Sequence, residues 1–236
     1  MAKLRNTNKQ TTVLTLDEKL AAIGIMTATQ QLSSETIAYV DLEETLADAI
    51  ISFADTSDEQ RWLGPVLAWV DVHGATVIIE KLTKILKSRA SHGSNVEFAS
   101  LIASFALQHG HKRWRTLKSL APKSARLIGH PDLAASLVKL RGDEDWSRDV
   151  NFIIPKGSVL PQRKWTLSQT SLAALNPQYR NRLIYGAQWR ADIITAIERG
   201  ARTPSEASRA SGASYEPCHR VFRELQAAGV VAAKTG

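Results

Sequence analysis

Tyr215, Glu216, His219, Arg220 and Arg223 recur near the carboxyl end at spacings that bring them to one side of a helix. Their shared chemistry is directional hydrogen bonding. A guanidinium fork matches the edge of guanine or a pair of phosphate oxygens, a carboxylate accepts from the cytosine amino group, and Tyr or His reaches either. Bond-making chemistry has weaker footing. His109 and His111 have no cysteine motif and no carboxylate close in sequence, so a metal is not expected. Cys218 stands alone, which excludes an internal disulfide framework and a cysteine-rich zinc site and fits a reducing cytoplasm. The chain has no Walker lysine loop, nucleophile elbow or Rossmann glycine fingerprint. No cofactor, no metal and no catalytic residue is expected, and the chain does not read as an enzyme.

The elements that must position those five side chains are written in local signals. Thr203 caps a helix with Pro204 at its first position, and Glu206 completes the Thr-x-x-Glu spacing of a reciprocal cap. That short helix is expected to bury Ala207 and Ala210. Gly212 supplies the positive φ needed to leave it. Ser214 is expected to cap the next helix, with Pro217 in its opening turn. Cys218, Val221, Phe222, Leu225 and Ala228 follow at spacings of three or four and form its buried face, which makes Cys218 a core thiol. Gly229 stops the helix, and Val230 and Val231 are expected to begin a strand. Upstream, Asn176 and Pro177 open a helix closed by Gly186, and residues 187–199 place Trp189, Ile193, Ile194 and Ile197 on one face before Gly200.

The rest of the chain reads as mainly α. Residues 1–12 form a polar arm. Residues 13–140 form a helical domain for dimerisation or partner binding. Thr15 and Glu18 have capping-box spacing, residues 34–53 are helical with or without an interruption, and residues 62–72, 77–86, 95–108 and 131–140 carry apolar stripes. Residues 141–175 form a connecting segment in which residues 150–154, VNFII, are a short strand halted by Pro155. Residues 176–236 form the last domain. Trp62, Trp69 and Trp114 suit the helical core.

Charge divides the chain. Its formal net charge is +7, yet residues 10–60 hold ten acids against Lys19 alone. The two regions are suited to different partners, or both are solvated surfaces. Residues 150–191 contain Lys156, Arg163, Lys164, Arg180, Arg182 and Arg190 and no acid, a set able to neutralise phosphates. A second basic stretch surrounds Trp114, which can stack on a base or be buried. No apolar run is long enough for a membrane span, and the basic start lacks the apolar stretch of a signal peptide.

With these residues in view, residues 187–231 resemble the winged helix-turn-helix of bacterial transcriptional regulators of the ArsR and MarR type. The likeness rests on Thr203, Pro204 and Glu206, on Gly212 and Ser214, and on the run Arg-Val-Phe-Arg-Glu-Leu-Gln-Ala-Ala-Gly-Val-Val. It implies a regulator that binds a pseudo-palindrome in double-stranded DNA as a homodimer. The expected contacts are Ser205, Ser214, Tyr215, Glu216, His219, Arg220 and Arg223, with Arg190 and Arg202. Only seven residues follow Gly229, so a second wing strand is missing or supplied from elsewhere, residues 150–154 being one source. Residues 182–186 and 190–194 are similar to winged helices linked to toxin–antitoxin nucleotidyltransferases. That likeness implies an alternative: an antitoxin or defence component that restrains a partner protein through the acidic residues 10–60. Nucleotidyltransferases hold magnesium on paired acids, but Gly157 and Ser158 here follow Asp143, Glu144 and Asp145 instead of preceding them, so that loop reads as solvated.

Overall fold

Caps written in the sequence start several helices. Thr15 N–H donates to Glu18 Oε2 at 2.7 Å while Glu18 N–H donates to Thr15 Oγ1 at 3.3 Å, satisfying two donors that a helix start leaves open. The computed structural model describes residues 14–27, 32–56 and 58–230; the arm expected at residues 1–12 lies outside them. The protein is mainly α. Its helices are α1 (Leu16–Ala22), α2 (Ser34–Tyr39), α3 (Leu42–Asp55), α4 (Leu63–His73), α5 (Ile79–Ser91), α6 (Phe98–Gln108), α7 (Pro131–Arg141), α8 (Asp145–Arg148), α9 (Gln169–Leu175), α10 (Pro177–Tyr185), α11 (Trp189–Glu198), α12 (Pro204–Ser211) and α13 (Tyr215–Ala227). The rhythm over residues 34–53 is interrupted where Asp41 caps α3, accepting from Glu43 and Glu44 N–H at 3.1 Å each.

Two helices are apolar on nearly every side, which requires burial all round. In α4, Leu63, Val66, Leu67, Trp69 and Val70 are fully buried, and in α6 so are Phe98, Ala99, Leu101 and Ala103. The two helices pack on each other, and α3 and α8 pack against α6. Trp69 and Trp114 lie within the core and donate their indole N–H groups to Ile23 O at 2.7 Å and Gly74 O at 3.0 Å. Trp62 is only partly buried against it. Burial is therefore the fate of Trp114, and base stacking is not open to it.

The first core also takes in Val150, Phe152, Ile154, Leu172 and Tyr179. Residues 141–175, expected as a join between domains, thus complete the helical body, which does not end near residue 140. The expected strand at residues 150–154 is confined to β2 (Phe152–Ile153), paired in parallel with β1 (Arg126–Leu127). The wing strand it was expected to supply is therefore excluded: Phe152 faces Phe98 with ring centroids 5.2 Å apart, and that packing ties the strand to the body.

A second, smaller core gathers Ile193, Ile194, Ala196, Ala207, Ala213, Cys218, Val221 and Phe222 from α11, α12 and α13, with Trp189, Ile197 and Leu225 partly buried against it. Among the described residues no strand follows α13. Val230 is 69% exposed in a bend where a strand was expected to begin, and Val231 lies outside the described residues.

Candidate nucleic-acid interface

The candidate element is α12, a three-residue turn and α13. Thr203 Oγ1 accepts from Glu206 N–H at 3.2 Å, and Glu206 reaches back to Arg202 N–H at 2.7 Å, one residue ahead of the position a reciprocal cap uses. That backbone donor, with those of Thr203, holds the Glu206 carboxyl below its ordinary range. Gly212 adopts φ 75° and ψ 1°, the left-handed conformation that glycine enters without a Cβ penalty. Serines fasten the turn: Ser211 Oγ donates to Ala207 O at 2.7 Å and accepts from Ala213 N–H at 3.2 Å, while Ser208 Oγ donates to Ala213 O at 2.8 Å.

Two local expectations fail for physical reasons. Ala210 is exposed, and Ser211 takes its place beside Ala207 in the buried face. Ser214 stands at the helix start with extended backbone, yet its hydroxyl makes no capping bond. A cap of this kind accepts from the third helical N–H, and here that residue is Pro217, which has none.

On α13, Cys218, Val221 and Phe222 are buried, Leu225 is half-buried and Ala228 is exposed. Burial pushes the Cys218 thiol pKa up, as a core thiol requires. The opposite face is open: Tyr215, Glu216, Arg220 and Arg223 are exposed and His219 is half-buried. The Tyr215 and His219 rings lie 5.9 Å apart and inclined by 24°. Among the described residues, the side chains of Arg202, Arg209, Arg220 and Arg223 make no hydrogen bond or ion pair, so their charge is available. Ser205 and Ser214 are exposed at the starts of α12 and α13. Arg190, exposed on α11, pairs with Glu224 of α13.

Of the six basic residues in 150–191, Arg182 is the one that cannot meet a phosphate. Its side chain is fully buried, donating to Glu43 Oε1 at 2.5 Å and Oε2 at 2.7 Å, to Asp192 Oδ1 at 2.8 Å and Oδ2 at 2.9 Å, and to Thr76 O at 3.0 Å. Lys81 joins from α5, donating to Asp41 Oδ2 at 2.5 Å and Asp192 Oδ2 at 2.8 Å. Asp41, Glu43 and Asp192 come together as closely as metal ligands, with the ammonium and the guanidinium set among them. Burial raises the Asp41 carboxyl, but Lys81 and Arg182 outweigh it and hold the pKa at about 2. Burial likewise opposes ionisation of Asp192, and Arg182 reverses the balance, leaving its pKa low. The network locks α10 and α11 onto α3 and α5, fixing where the small core stands on the body.

The same pairing changes the reading of the acidic segment. Asp41, Glu43, Glu44 and Asp48 meet Lys81, Arg182, Arg89 and Lys19 within the chain, which reduces the charge available to an external basic partner. His109 Nδ1–H donates to Asp71 Oδ1 at 2.7 Å, and Arg163 holds the other Asp71 oxygen at 2.9 Å. This carboxylate, 38 positions from His109 in sequence, has both its oxygens engaged by side chains. Asp143 is paired with Arg148 at 2.6 Å on the surface. Among the described residues no helix is long and apolar enough to cross a membrane. Comparison of the chain with protein-family models, curated proteins and solved structures found no match.

Proposed function

We propose that the protein is a sequence-specific regulator that binds double-stranded DNA, with α13 entering the major groove and two copies reading the halves of a pseudo-palindrome. The observation that carries the reading is the division of α13. One side anchors it through Cys218, Val221 and Phe222, while Tyr215, Arg220 and Arg223 stand exposed, with both arginines unpaired among the described residues. Such a helix offers guanidinium forks to base edges without first breaking internal contacts. The side chains of Arg202, just ahead of α12, and Arg209, in its last turn, suit phosphates. The homodimer belongs to the same proposal, because a two-fold operator mirrors a two-fold protein.

Selection of bound fragments from genomic DNA, run at two salt concentrations, tests this directly. The expected product is a motif of two inverted half-sites about one helical turn apart, with total recovery falling as salt rises. Recovery of unenriched sequence at both concentrations removes the proposal.

A further inference from the structure

A groove of about 630 Å³ runs between α13 and the helical body. It brings Glu80 and Arg113 of the body against Arg190, Arg220 and Glu224, residues that the sequence separates by more than seventy positions. We infer that this groove receives the phosphodiester backbone beside the major groove that α13 reads, and that Arg113 is a phosphate contact supplied by the helical body. The inference rests on the DNA-binding reading above and extends the contact surface beyond the helix-turn-helix.

Three observations support it. Arg220 lines the groove and is unpaired among the described residues. The other two guanidiniums already hold oxyanions there: Arg113 Nη2 donates to Glu80 Oε2 at 3.1 Å, and Arg190 pairs with Glu224. Both pairs are solvent-exposed, with side chains between 43% and 65% accessible, so they are worth little and exchange readily for a phosphate. Three cations face two carboxylates, leaving the groove positive. Arg113 is also held in place, since its Nη1 donates to Ala187 O at 3.2 Å, two residues ahead of α11. It therefore keeps a set distance from the reading unit.

The groove carboxylates compete with the phosphate, which gives the inference a test of opposite sign. Binding of the full chain to a labelled duplex about three helical turns long is titrated over a range of salt. Arg113→Ala is expected to lower the slope of log K against log salt by about 0.9, one released counterion. Arg113→Lys is expected to restore it. Arg115→Ala, on the same segment but outside the groove, is expected to leave the slope unchanged. Glu80→Gln is expected to tighten binding about two- to fivefold, the worth of one exposed ion pair. Wild-type binding with an unaltered slope in Arg113→Ala overturns the inference and leaves the DNA-binding reading standing. Should Arg113→Ala fail to fold, an unchanged or weakened affinity in Glu80→Gln overturns it. Absence of duplex binding by the wild type at low salt overturns the reading itself.

Discussion

Arg220 and Arg182 are the same residue type in two helices that both meet α11, and solvation gives them opposite roles. Arg182 has left water completely and is held by two carboxylates and a carbonyl, whereas Arg220 remains exposed on α13 at the mouth of the groove. An exposed, unpaired guanidinium keeps its full capacity for a new partner. Arg220→Ala is expected to weaken binding to the selected operator by about 1–3 kcal/mol and to relax base preference at one position. Gel-shift titration at fixed salt measures the loss, and unchanged affinity removes Arg220 from the contact set. The free arginine is legible in sequence because the apolar spacing of Cys218, Val221 and Phe222 defines the side it avoids. Arg182 is not legible: its partner Glu43 lies 139 positions away, and a basic run without intervening acids reads as surface until the chain has folded.

Among the elements, those governed by neighbours in sequence follow the local pattern, and those governed by distant contacts depart from it. The turn at Gly212 shows the first case. A Cβ there meets only Trp189 Cζ3 at 3.7 Å, an ordinary contact, so the left-handed backbone alone sets the cost of substitution. Gly212→Ala is expected to destabilise the protein by about 1 kcal/mol and Gly212→Asn by less; denaturant midpoints check the order. The strand at Phe152 shows the second case. Its apolar alternation is visible in sequence, but its partner is chosen by Phe98 and the first core. Ser214 shows a third: Pro217 fits the opening turn of α13 as expected, but at the third helical position it has no N–H for the Ser214 hydroxyl to accept.

For the whole molecule, the buried cluster around Arg182 joins the two cores. Arg182→Met removes one cation and leaves Glu43 and Asp192 buried with Lys81 as their remaining charged partner. A loss of about 3–5 kcal/mol is expected in denaturant unfolding, and a loss below about 1 kcal/mol contradicts the assigned role. The pH response follows from His73, which is buried between Tyr179 Oη at 2.7 Å and Leu167 O at 3.0 Å. Burial pushes its pKa down to about 4, against the opposing bond to Leu167. The unfolded chain therefore binds this proton more readily, so stability is full above about pH 6.5 and declines as pH falls toward 4. The whole decline amounts to about 3 kcal/mol. His73→Gln is expected to flatten that interval when urea midpoints are compared at about pH 7 and about pH 5. The Asp41 contribution is lost in a lower window, as pH falls through the usual carboxylate value toward about 2.

The position of Cys218 gives the chain a built-in reporter. It is the sole cysteine, and it is closed inside the smaller core, so a thiol-specific probe can react only when α13 lifts away from α11. Labelling kinetics under native conditions thereby count the openings of one unit while the larger core stays silent, and a ligand that clamps α13 announces itself as slower modification.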